Sequence, residues 1–253
     1  MKTFQYSYES RTVYFEPVTE HSFLLRAVPA ASQWQQLEKS ELNVFPFTDK
    51  VLSGTDCWGS RLNYGIIREP HRSFGYQSKG IITVSEGPIP DSAPNPVFSI
   101  NTGLTMFSPE MGLLLSGSGN LASALEMATN IKSHLMYVCG STGVLTTAFE
   151  SFFQRKGVCQ DFTHILISLC RHAGIPARYV CGFVVGEGQT HAWTEVWSDG
   201  AWFGIDPTAG RLCDDTYIKV AVGRDARDCS VCRGVFYGTS GQNTTVKVIV
   251  QEI

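Results

Sequence analysis

Along the first third of the chain, apolar and polar positions alternate in short runs rich in Tyr, Phe, Val and Ile. Side chains on a strand point to opposite faces with a period of two, so this pattern predicts strands. The runs are Phe4 to Tyr8, Thr12 to Phe15, Phe23 to Ala27, Leu42 to Phe45, Leu62 to Ile67, Phe74 to Tyr76 and Gly80 to Val84, separated by turn residues such as Pro17, Pro46, Asp49 and Gly54. They predict an all-β, sandwich-like domain over residues 1–85. Residues 86–103 hold Pro88, Pro90, Pro94 and Pro96 and little periodicity, which marks a linker.

After the linker the period changes. Leu121, Ala124, Leu125, Ala128, Ile131, Leu135 and Val138 recur at helical spacing behind Asn120, a good N-cap, and predict a helix over 120–138. A weaker helical piece covers 149–156. Phe162, Ile165, Leu166 and Leu169 then line one face of a helix from about Cys159 to about Ala173, which Gly174 and Pro176 stop. Beyond Pro176 the strand period returns at 178–185, 190–197, 201–205, 217–222 and 245–250, with a turn at Gly186 to Gln189. Residues 104–253 therefore read as a second domain, a helical lobe followed by an antiparallel sheet, and the whole chain as α+β.

Charge narrows the function. Twenty basic against 23 acidic side chains give a net −3, no footprint for nucleic acid and no polybasic membrane anchor. The N-terminus lacks an apolar leader and no run of about 18 apolar residues occurs, so the expectation is a cytoplasmic protein with no membrane partner. The sequence does not indicate an oligomeric state. Seven of the eight cysteines follow residue 138, an uneven distribution that suits reduced thiols better than a disulfide framework. Cys229 and Cys232 form a C-x-x-C, but only Cys213 stands nearby as a further ligand, so no metal site is expected.

Chemistry gathers around Cys159. A thiol in the first turn of a helix feels the positive end of the macrodipole and unpaired backbone N–H groups, both of which favour the reactive thiolate. Such a nucleophile needs a base and a group to orient that base. His191 and Asp206 lie on the two strands of a predicted hairpin. With Ser198 and Asp199 as its loop they stand directly opposite; with Asp199 and Gly200 they are diagonal neighbours on one face. Either register brings them within reach. By strand parity Trp193 shares the His191 face and is expected to wall the cleft, as is Gln160 beside the nucleophile. His164 points elsewhere around the helix, and His172 serves its C-terminal dipole.

These residues also resemble a known family. GVCQDF, HAWTEVW and GIDPT are similar to the motifs of the transglutaminase-like superfamily, and YSYES, LLRAVPAASQWQQL and LNVFP to the N-terminal β region of its bacterial members. The resemblance spans nearly the whole chain. It implies a papain-like transglutaminase core with Cys159 as nucleophile, His191 as general base and acid, and Asp206 as orienting carboxylate. Animal members place a tryptophan upstream of the cysteine as an oxyanion donor; none occurs between Leu104 and Cys159, where Tyr137 resembles the tyrosine of other members. The implied function is a cysteine protease or amidase cleaving amide bonds of peptide or protein substrates through a thioester, with no cofactor. Amine transfer or deamidation on the same triad is the alternative reading, and a non-catalytic binding module a third.

Overall fold

Strand β1, Lys2–Leu25, runs unbroken through three of the expected strands. Pro17 does not end it because its register against a neighbouring strand shifts between Val13 and Val18, a bulge where no ladder N–H is required. The computed structural model describes residues 1–46, 48, 50–91 and 93–253, and the expected turn at Asp49 lies outside them. The N-terminal strands are completed by β2 (Gln35–Phe45), β3 (Leu52–Thr55), β4 (Arg61–Ile67) and β5 (His71–Val84). Residues 77–79, expected to separate two strands, are part of β5. All pairing here is antiparallel: β5 lies along the first half of β1, and β4 along its second half.

The linker is folded onto the protein. Strand β6 (Ile89–Pro90) pairs with a strand of the second sheet, and Phe98 is buried, edge-on to Trp202 at 5.6 Å. Helix α1 (Leu121–His134) starts where Asn120 accepts the Ser123 N–H, and stops short of the expected Val138. Next come β7 (Met136–Tyr137), α2 (Ala148–Gln154), β8 (Lys156–Gly157) and α3 (Cys159–His172).

The remaining strands are β9 (Ala177–Val184), β10 (Gly186–Gly188), β11 (His191–Ser198), β12 (Ala201–Asp206), β13 (Arg211–Leu212), β14 (Tyr217–Gly223), β15 (Cys232–Tyr237) and β16 (Gln242–Glu252). The second sheet has the order β13-β12-β11-β9-β14. The last two strands leave it. β15 and β16 hydrogen-bond to the two halves of β1, so the 245–250 strand, expected in the second sheet, completes the first. Residues 186–188, expected as a turn, pair with β16.

Two large cores hold these layers, beside a smaller cluster of Val180, Trp193, Tyr217 and Val222. One packs α1, α2 and α3 on the second sheet through Ala128, Ile131, Phe152, Ile165, Leu166 and Ile205. The other joins the sheets to each other: the Phe183 ring lies 5.8 Å from Tyr6 and 5.2 Å from Tyr8, with Ile218, Val220, Val248 and Val250 alongside. Aromatic pairs of this kind contribute about 0.5–1.5 kcal/mol each beyond burial. Every residue of α3 from Asp161 to Arg171 is buried, so the central helix has no solvated face. Among the described residues no helix is long and apolar enough to cross a membrane.

Candidate active site

The start of α3 is fixed by its own third residue. Asp161 accepts the Val158 N–H at 2.7 Å and the Thr142 hydroxyl at 2.6 Å, capping the helix and tying down the loop before α2. Gly157 makes room for this carboxylate, since a Cβ there would lie 2.6 Å from that of Asp161. Cys159 is thereby presented, half-buried, in the lining of a cavity of roughly 710 Å³ that His191 also lines.

The hairpin register comes from its turn. Asp199 and Gly200 have φ of 49° and 79°, the left-handed pair of a two-residue turn whose twist matches the strands. Ser198 then faces Ala201 and Thr194 faces Ile205, so His191 and Asp206 are the diagonal neighbours of the second expected register. Their side chains meet at 2.8 Å, His191 Nε2 to Asp206 Oδ2.

Asp206 accepts from five donors. Oδ2 takes His191 and the Tyr217 hydroxyl (2.9 Å); Oδ1 takes the Thr208 N–H (2.8 Å) and hydroxyl (2.6 Å) and the Ala209 N–H (3.3 Å). Burial would raise its pKa, but the hydrogen bonds and charge of His191, with Thr208 and Tyr217 behind, hold it well below the usual carboxylate range. An ionised carboxylate only accepts, so Nε2 carries a proton and Nδ1 is the nitrogen left for the thiol. Burial would lower the His191 pKa. The Asp206 hydrogen bond and the facing Cys159 outweigh it and push it up to about 10.

Tyr137 lies beyond α1 on β7, in parallel register with Gly157 two residues before the nucleophile. Half the residue is exposed, and it lines the same cavity as Cys159, close enough for the charge of Cys159 to act on its hydroxyl. Burial, then the charge of Cys159, push its pKa up to about 12, so it is an O–H donor throughout the neutral range. Gln160 lines the cavity and its amide reaches the Gly143 carbonyl at 3.4 Å.

Trp193 does not line the cavity. It shares the His191 face, as parity requires, but is 1% exposed and lies edge-on under Tyr217 at 5.4 Å, supporting the residue that holds Asp206. His164 is buried in the core and accepts the Ala226 N–H at 3.2 Å, while His172 stacks on Phe107 at 3.6 Å. Cys170 is buried; Cys181, also buried, and Cys229 border the cavity, and Cys232 opens β15.

Thr208, Tyr217, Thr142 and Arg171 escaped the sequence reading. Thr208 had a signal, since a hydroxyl two residues after an Asp commonly closes a turn on it. Arg171 had none. Its buried guanidinium donates to the carbonyls of Phe98, Ile100, Ala177 and Arg224 and to the Thr105 hydroxyl, pinning the linker to the back of α3.

Residues 115–207 match the profile of the transglutaminase-like superfamily, and residues 4–83 that of the bacterial transglutaminase-like N-terminal region. The chain belongs to the transglutaminase-like superfamily. Family relatives include an uncharacterised protein of Mycobacterium leprae (strain TN), 29% identical over 268 residues and covering 95% of this chain and 94% of its own. A protein-glutamine gamma-glutamyltransferase of Pseudomonas aeruginosa is 33% identical over 82 residues, 27% of this chain and 12% of its own. A crystal structure from Cytophaga hutchinsonii titled "Putative Cysteine Protease" shares the fold, with a TM-score of 0.80 at 23% identity over 100% of this chain and 92% of that one.

Proposed function

We propose that this protein is a cysteine-dependent hydrolase of amide bonds in peptides or proteins, working on a papain-like Cys159–His191–Asp206 triad. The observation that carries this is the 2.8 Å His191–Asp206 bond, which leaves the other imidazole nitrogen for a thiol at a helix start in the same cavity. The Cys159 thiolate attacks the carbonyl, and the Tyr137 hydroxyl and Cys159 N–H receive the developing oxyanion. His191 gives its proton to the departing amine, leaving a thioester. Water, losing a proton to His191, then releases the acid and restores the thiol.

A second reading is transfer of the same acyl group, drawn from a glutamine side chain, to a lysine amine. The local similarity to a gamma-glutamyltransferase favours it. Incubation of casein with a fluorescent primary amine separates the two. New N-termini without label, lost in Cys159→Ala, support peptide hydrolysis; ammonia release alone means deamidation; label incorporation means transfer. If iodoacetamide near pH 6 labels Cys159 no faster than the other cysteines, and His191→Ala changes nothing, the activated-thiol reading is wrong.

A further inference from the structure

Apart from the nucleophile itself, the charged side chains lining the cavity that holds Cys159 are basic. Its lining includes His191, Arg227 and Arg233 and, among the described residues, no carboxylate. The whole chain has 23 acidic and 20 basic side chains, so an unselected stretch of surface would show both signs. Both arginines come from the segment that leaves β14 and enters β15, which forms one wall of the cavity.

The acids of that segment are engaged elsewhere. Asp225 is 4% exposed and accepts the Arg227 backbone N–H at 2.8 Å. Asp228 is clamped by Arg224, with Nε at 2.8 Å and a terminal nitrogen at 3.1 Å. Arg233 lies near enough to Asp228 to act on its charge, but the hydrogen bonds of that carboxylate all go to Arg224. Arg233 instead donates to the Arg227 carbonyl, which sets it at the ridge between this cavity and an apolar depression on the first sheet. Among the described residues neither Arg227 nor Arg233 forms an ion pair with a carboxylate.

Two guanidinium forks without carboxylate partners in a recessed cleft concentrate anions, and the fork shape matches a carboxylate. We infer that the substrate brings a carboxylate into this cleft, seated on Arg227 and Arg233 while its scissile amide lies on Cys159. The substrate class is therefore an acidic peptide, with either a Glu or Asp side chain or a free C-terminal carboxylate close to the reacting carbonyl. This rests on Cys159 being the nucleophile.

The test compares alkylation of Cys159 by iodoacetate, an anion, and iodoacetamide, its neutral counterpart, by peptide mass spectrometry at pH 7. In the wild type the anionic reagent is favoured at Cys159 relative to the other thiols. In the double variant Arg227→Ala, Arg233→Ala the iodoacetate-to-iodoacetamide ratio at Cys159 falls by about tenfold, the low end of what a focused cleft supplies, while the iodoacetamide rate holds. A ratio unchanged by the double variant overturns the inference, as does an equal slowing of both reagents, which would place the arginines in support of the thiol. A wild-type Cys159 no more reactive than the other cysteines sinks the hydrolase reading instead. Protection from iodoacetamide by three peptides identifies the source of the carboxylate: one with glutamates and an amidated C-terminus, one neutral with a free C-terminus, and one neutral and amidated. Either acid-bearing peptide protecting the wild type but not the double variant supports the inference; equal protection by all three refutes it.

Discussion

Replacing Asp206 with Asn changes one atom and should reverse the polarity of the site. The Oδ1 side of Asp206 meets three donors, the Thr208 N–H and hydroxyl and the Ala209 N–H. An asparagine keeps its carbonyl oxygen there, and its NH₂ falls on the other side, facing His191 and Tyr217. An amide donor opposite Nε2 makes that nitrogen an acceptor, so the imidazole proton moves to Nδ1, the position that must receive the thiol proton. The thiolate–imidazolium pair of the proposed mechanism is then lost. A thiol at the ordinary pKa near 8.5 is about 0.3% thiolate at pH 6, so the reactive fraction falls by up to about 300-fold. Part of this returns because a less stabilised thiolate is intrinsically more nucleophilic. The expected fall in Cys159 alkylation by iodoacetamide at pH 6 is therefore about 10- to 100-fold, with wild type and variant converging above pH 9. Turnover of an amide substrate should drop by about 10⁴, as when the same inversion is made in a serine triad. Asp206→Ala, which imposes no tautomer, should be less damaging at pH 6 than Asp206→Asn. Superimposed wild-type and Asn profiles between pH 5 and 8 would refute this account of the site.

Tyr137→Phe should lower turnover by about 10²-fold or more while Cys159 alkylation is retained, since only the oxyanion loses a donor; equal turnover in the variant would exclude that role. Arg171→Met strips the donor from the buried carbonyls of Phe98 and Ala177, the part-buried ones of Ile100 and Arg224 and the Thr105 hydroxyl, and urea denaturation should show a loss of about 3–5 kcal/mol. Gly182→Ala sets a Cβ 2.1 Å from the Ile218 carbonyl oxygen and 2.5 Å from the Trp193 ring; it should cost about 1–3 kcal/mol or more and disturb Asp206 through Trp193 and Tyr217, visible as lower thermal stability together with slower alkylation at pH 6. The raised pKa of His191 stabilises the fold fully below the imidazole's ordinary 6.5, and that stability is lost as pH rises through about 10. Removing the ring in His191→Ala should accordingly flatten the fall in urea midpoint between pH 7 and 10, and an unchanged slope would contradict the charged pair.

The sequence by itself specified what is local. The first turn of α3, the hairpin and the order Cys159, His191, Asp206 were legible because helix stops, strand parity and turn residues act over a few positions. Parity also kept His191 and Asp206 on one face whichever two-residue loop formed. Tertiary structure decided what depends on distant partners. The choice between registers that parity left equal was not tertiary: it fell to Asp199 and Gly200, whose left-handed backbone is a local property of the turn. Trp193 obeyed its parity but lost its place in the cleft, because Tyr217 of β14 covers that part of the face. The strand at 242–252 has the same alternation whichever sheet it joins, and only packing against Tyr6, Tyr8 and Phe183 sent it to β1. Arg171 and the two cleft arginines read in sequence as ordinary surface charges. Their roles follow from which carbonyls and carboxylates the fold brings, or fails to bring, within hydrogen-bond distance.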